Sequence, residues 1–255
     1  MNLLVKLCKQ LQLPFTASTI MDVCEQAQRQ QQSHSEFLTE LFTREYENKL
    51  EKRAKRRVKE AGFPLVKTLE SFNFAKAHDL PEAKIRSLSQ GDYISKAEPI
   101  IFLGEPGTGK THLATALGYC ASLQGHAVKF ITASQLANML IEAKNHHQLS
   151  SIIKRYQGYR LLIIDELGYL PLAKTDAELL FQILSQRHEK YPVIVTTNLP
   201  FSEWTSIFTD HRLCKALVDR ITHRAHIIET GTNSVRLEQT LNNINKPKGG
   251  KINKT

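Results

Sequence analysis

The sequence predicts an α/β fold, a mainly parallel five-stranded sheet between helices, preceded by a small all-helical domain. Three observations carry this. From about residue 98, short apolar runs alternate with longer amphipathic stretches, the pattern of βαβ units. A segment of the form G-x-x-x-x-G-K-[ST] stands between the first such run and a helical stretch. Before Gly62 there is no glycine and a single proline, Pro14, among many good helix formers.

In this first region apolar residues recur at Leu38, Leu41, Phe42, Tyr46, Leu50, Ala54 and Val58, the spacing of a helix face. Ser33 or Ser35 supplies a hydroxyl that caps free N–H groups at its start, and Gly62 with Pro64 ends it. Between Lys49 and Lys59 it carries seven basic residues and one acidic one, Glu51. That run reads either as a solvated helix or as a surface for a phosphate backbone. Lys246, Lys248, Lys251 and Lys254, with Pro247, Gly249 and Gly250, predict a basic, disordered tail. The expected division is residues 1–68 helical, 69–243 α/β and 244–255 tail.

Residues 100–103, 127–131, 161–164, 193–196 and 226–229 read as strands, and the wholly apolar runs 100–103 and 161–164 fit a parallel sheet covered on both faces. Helical segments fall near 110–124, 134–144, 149–156, 175–189 and 201–225. Within the last, Trp204 and Phe208 stand four apart and fit a buried face better than a base-stacking platform.

Lys and Arg number 34 against 25 Asp and Glu, a net +9, which favours an anionic partner. Cys8, Cys24, Cys120 and Cys214 have no close spacing, arguing against a zinc ribbon, a redox pair or a disulfide framework and for a reducing cytoplasm. Of the ten histidines, His146 and His147 are adjacent in sequence and His223 and His226 are read as lacking a companion acid or cysteine at a ligand spacing, so zinc is not expected. No apolar run is long enough for a membrane span, and no membrane partner is expected.

The segment Gly104-Glu105-Pro106-Gly107-Thr108-Gly109-Lys110-Thr111 is the strongest signal. Its backbone N–H groups at a helix start surround phosphate, Lys110 neutralises the β- and γ-phosphates, and the Thr111 hydroxyl serves Mg²⁺. The run from Leu161 ends in Asp165-Glu166, at the edge where parallel sheets place ligands. Asp165 is expected to hold Mg²⁺ and Glu166 to polarise the attacking water as general base, which favours hydrolysis over transfer. Asn198, after the next strand, is either a turn residue or a hydrogen-bond donor to the γ-phosphate or the water.

In this order of motifs, followed by Asp219-Arg220 in a late helix, residues 69–243 resemble the AAA+ P-loop ATPases. The resemblance implies that Asn198 is the first sensor and that Arg220 is a finger completing a neighbouring subunit's ATP site, its bland alternative being a surface salt bridge. Arg236, in Asn233-Ser234-Val235-Arg236-Leu237, resembles a second-sensor arginine, although no convincing helical lid precedes it.

More narrowly, Asp165-Glu166-Leu167-Gly168-Tyr169-Leu170-Pro171, Arg187-His188-Glu189, Thr196-Thr197-Asn198-Leu199-Pro200-Phe201, Glu203-Trp204 and Asp219-Arg220-Ile221-Thr222-His223 resemble the IstB-type transposition helper ATPases of bacterial insertion sequences. These are relatives of helicase loaders and replication initiators. The resemblance implies ATP-dependent self-association on double-stranded DNA in the bacterial cytoplasm, with a cognate transposase as partner. A replicative helicase loader is the alternative. The stretch Gln148–Tyr159 resembles the helix inserted in initiator-type ATPases, and Lys154 and Arg155 on it either track DNA phosphates or are simply solvated.

Overall fold

The computed structural model describes residues 3–77, 80–169, 174–206, 208 and 210–231, arranged in two compact units that divide at Arg56 and Arg57. The first unit is helical: α1 (Leu3–Gln10), α2 (Pro14–Arg29) and most of α3 (His34–Ala61). Cys8, Ala17, Ile20, Val23 and Leu41 form its apolar cluster. Thr16 donates from both its backbone N–H and its hydroxyl to Glu45 Oε2, at 2.7 and 2.9 Å, so a buried carboxylate ties α2 to α3.

The sequence signals at both ends of α3 hold. Ser33 Oγ accepts from the Glu36 N–H while the Glu36 carboxylate accepts from the Ser33 N–H, a reciprocal cap, and the helix stops one residue before Gly62. Its apolar spacing is helical but not wholly buried. Leu41 is covered, whereas Leu38, Phe42, Tyr46 and Leu50 are exposed. Lys52, Arg53, Lys55 and Arg56 also lie at the surface, with Lys55 paired to Glu51 at 2.5 Å.

The second unit adds α4 (Glu82–Leu88) and α5 (Asp92–Ser95), then β1 (Ile100–Leu103), α6 (Lys110–Leu123), β2 (Val128–Thr132), α7 (Ala133–Asn145), α8 (Leu149–Gln157), β3 (Leu161–Leu167), α9 (Lys174–Arg187), β4 (Val193–Thr197), α10 (His211–Thr222) and β5 (His226–Glu229). The strands form one five-stranded sheet in the order β2-β3-β4-β1-β5, and every pairing is parallel. The expected helix over 201–225 is two pieces, a 3₁₀ segment Phe201–Ser206 and α10. Asp210 separates them, its carboxylate accepting from the Arg212 and Leu213 N–H groups at the start of α10. Trp204 and Phe208 are fully buried as expected.

Side chains alternate across the sheet. Ile100, Phe102, Leu161, Ile163 and Ile194 face the layer containing α6, together with Ala61, Phe63 and Leu69. Ile101, Leu162, Ile164, Val193 and Val195 face α7, α9 and α10. By this parity Asp165 and Thr196 point to the α6 side at the carboxyl edge of the strands. No helix among the described residues is long and apolar enough to cross a membrane.

Candidate nucleotide site

The loop after β1 is anchored on both sides. The Gly104 N–H donates to Thr197 O at 3.2 Å, at the end of β4, and the Glu105 N–H donates to Gly231 O at 3.2 Å, beyond β5. Gly104 has to be glycine because a Cβ there would stand 2.4 Å from Thr230 Oγ1 and 2.9 Å from Gly231 O. Thr108 Oγ1 donates to Glu105 O at 2.8 Å and lies 2.6 Å from Thr230 Oγ1. The far end of the loop, Gly109, has φ +98° and takes the start of α6 close under the Phe72 ring. No side chain caps α6, which leaves the N–H groups of its first turn for an anion.

Lys110 Nζ folds over the loop and donates to Gly104 O at 2.6 Å and Glu105 O at 2.8 Å. Thr111 Oγ1 stands 3.0 and 3.1 Å from the two oxygens of Asp165. The sequence-predicted Lys110, Thr111 and Asp165 therefore converge at one point. A buried carboxylate beside a hydroxyl is a hard-oxygen donor pair, suited to Mg²⁺.

Burial pushes the Asp165 carboxyl above its ordinary value. Hydrogen bonds from Thr196 and Thr111 and the charge of Lys110 oppose that rise.

Glu166 lies one residue further along β3, exposed and with φ +60°. Here the ladder to β4 slips between Ile164 and Leu167. The bulge lets Leu167 rejoin the face of Leu162 and Ile164 while Glu166 turns out to solvent. Asn198 follows β4 directly, at the same sheet edge.

Sequence reading missed Thr196. This buried hydroxyl donates to Asp165 Oδ1 at 2.5 Å and accepts from the Glu166 N–H at 2.9 Å, so one side chain fixes both acids. The signal lay in Thr196-Thr197, two hydroxyls closing an otherwise apolar strand. It also missed the strap before α4. His112 Nε2 lies 2.9 Å from Thr68 O and 3.2 Å from Ser71 Oγ, and the Phe72 ring meets the imidazole edge-on at 5.0 Å.

Arg220 is elsewhere. Its guanidinium lies over the Phe181 ring at 5.0 Å and borders a cavity of about 150 Å³ with Pro99, His188, Tyr191 and His223. Pro99 precedes β1 and Tyr191 precedes β4, which puts Arg220 at the sheet edge opposite its own phosphate loop. Lys154 and Arg155 are exposed on α8, while Ile153 and Tyr156, which flank them, are buried. Arg236 and the tail of residues 244–255 lie outside the described residues.

The IstB-like ATP binding protein family matches residues 6–243. The chain is 34% identical over 239 residues to the ATP-binding protein of insertion sequence IS21 from Pseudomonas aeruginosa, covering 94% of this chain and 90% of that protein. It is 36% identical over 232 residues to the ATP-binding protein of insertion sequence IS5376 from Geobacillus stearothermophilus, covering 91% and 92%. Among solved structures, AMPPCP-bound DnaA from Aquifex aeolicus is similar with a TM-score of 0.56 and 23% identity, over 72% of this chain and 57% of that one. That last likeness concerns the fold alone.

Proposed function

We propose that this chain, which belongs to the IstB-like ATP-binding protein family, is a DNA-binding ATPase of the bacterial cytoplasm that hydrolyses ATP as an assembly switch and assists the transposase of an insertion sequence. The observation that carries the reading is the placement of Lys110, Thr111, Asp165 and Glu166 at one sheet edge with Arg220 at the other. One copy cannot close its own site with Arg220, whereas a neighbouring copy can offer it.

In this mechanism the loop from Gly104 to Gly109 and the first turn of α6 hold the triphosphate by backbone N–H groups. Lys110 leaves the Gly104 and Glu105 carbonyls and follows the phosphate charge. Mg²⁺, held by Thr111 and Asp165, would neutralise charge on the β- and γ-phosphates. Glu166 takes the proton of the attacking water, and Asn198 orients that water or the γ-phosphate. Arg220 of an adjacent copy meets the charge that builds on the γ-phosphoryl group, so hydrolysis requires assembly. Residues 1–68 engage duplex DNA or the transposase, the cations of α3 supplying phosphate contacts, while residues 69–243 form the ATPase.

Glu166→Gln is expected to keep ATP binding, to lower turnover by ~10²-fold or more, and to trap the protein on duplex DNA as an oligomer. Arg220→Ala is expected to lose turnover while a single chain still binds nucleotide. Replacing Lys52, Arg53, Lys55 and Arg56 by Glu is expected to flatten the salt dependence of DNA affinity. Normal turnover in Glu166→Gln removes the base assignment, and a protein that stays monomeric on DNA with every nucleotide removes the switch.

A further inference from the structure

At the sheet edge away from the phosphate loop, the carboxyl ends of two helices meet. α9 ends at Arg187 and α10 at Thr222. The residues that follow, His188 and Glu189 on one side and His223 on the other, each bring a ligand atom to within 4.8 Å of the other two. The two imidazole centres are 5.5 Å apart. Glu189 has φ +61°, a left-handed conformation that glutamate adopts at a cost, and this turn returns its carboxylate toward the histidines.

We propose that His188, Glu189 and His223 form a binding site for a divalent transition-metal ion, zinc foremost, which clamps the end of α9 to the end of α10. Two imidazole nitrogens and one carboxylate oxygen are a zinc donor set, with the fourth position left to water. Ligand atoms around tetrahedral zinc stand roughly 3.3 Å apart, so these three close by at most about 1.5 Å. Rotation of the exposed Glu189 and His223 and the half-buried His188 provides that movement. Both helices also bring their carboxyl ends, the negative ends of their dipoles, to this corner, which favours a cation.

Three arginines near the site work against it, and each is engaged elsewhere. Arg187 donates to Tyr156 O at 2.6 Å and Pro192 O at 3.2 Å, Arg224 pairs with Glu98 at 3.3 Å, and Arg220 lies over Phe181. Their charge brings the expected dissociation constant to about micromolar rather than nanomolar. His223 stands three residues beyond Arg220 on the same helix end, so the bound ion would fix the corner that carries that guanidinium. Sequence reading rejected zinc because His223 was seen to lack a companion ligand at a suitable spacing, whereas folding brings His188 and Glu189 to it from a separate segment.

The site stands apart from the ATP reading and is tested without turnover. Co²⁺ and Zn²⁺ are titrated into the full chain in excess Mg²⁺, following cobalt visible absorption, zinc calorimetry and the zinc-dependent unfolding midpoint. One ion per chain is expected, with cobalt bands and a raised midpoint. The His188→Ala/His223→Ala double variant is expected to lose at least tenfold in affinity together with the bands and the midpoint rise, and Glu189→Gln to fall between. Retained nucleotide binding verifies that each variant is folded. Equal affinity in the double variant, or no binding by the wild type below millimolar metal, overturns the proposal.

Discussion

Thr196→Val tests the idea that one hydroxyl organises both acids of the site. Valine has nearly the shape of threonine, so the change opens no cavity and removes only the oxygen. Two bonds go with it, the 2.5 Å donation to Asp165 Oδ1 and the 2.9 Å acceptance from the Glu166 N–H. A hydrogen bond to a carboxylate contributes about 1.5–3 kcal/mol, and an orphaned N–H costs about 1–3 kcal/mol, here at the lower end because Glu166 is open to water. The sum is about 3 kcal/mol, or ~6–12 °C in the unfolding midpoint of the second unit. Circular dichroism against temperature measures it, and a fluorescent ATP analogue in Mg²⁺ should show weakened binding in parallel. Thr196→Ser, which keeps the oxygen, should recover most of both. A valine variant within ~1 °C of wild type, with unchanged nucleotide affinity, refutes the bridging role.

Lys110→Ala removes the ammonium now held by two loop carbonyls, and nucleotide affinity should fall at least about a hundredfold, or ~3 kcal/mol, by calorimetry. Asp165→Asn relieves the cost of burying a carboxylate, so in chelator and without nucleotide its unfolding midpoint should exceed that of wild type, while the Mg²⁺-dependent gain in nucleotide affinity disappears. Burial and the Arg160 charge hold His126 below its ordinary 6.5, so the unfolded chain takes the proton first. Stability present above that value is therefore lost as pH falls through it, and His126→Gln should flatten the midpoint between about pH 7 and 5.5. His112, also lowered by burial, accounts for slope that remains.

What could be read from the sequence was what local rules enforce. A strand covered on both faces is mostly apolar, so β1, the first four residues of β3 and the first three of β4 show as bare apolar runs, and the phosphate loop has fixed internal spacing. Helix periodicity revealed α3 but not which of its apolar residues would be covered, since that depends on where α2 packs. The break before α10 was written in Asp210, a capping residue, yet the spacing of Trp204 and Phe208 suggested unbroken helix. The bond from Thr196 to Asp165 crosses two strands, and the approach of His188 and Glu189 to His223 joins two helix ends. Neither leaves a mark in linear spacing.

The bulge at Glu166 connects stability with chemistry. A non-glycine residue at φ +60° carries about 1–2 kcal/mol of strain, tolerated because the Glu166 N–H is held by Thr196 and Leu167 is buried on the far face. Without the bulge, strand alternation would turn residue 166 into the α7 and α9 layer, where a charged carboxylate has no place. The strain is thus what exposes the acid beside Asp165. It follows that Glu166→Gly should be more stable than Glu166→Ala by about 1 kcal/mol, the reverse of the order expected in a regular strand, with both variants equally deprived of the carboxylate. Denaturant unfolding of the pair measures the difference directly. If alanine proves the more stable of the two, residue 166 does not hold a left-handed conformation in solution, and the exposure of its side chain needs another cause.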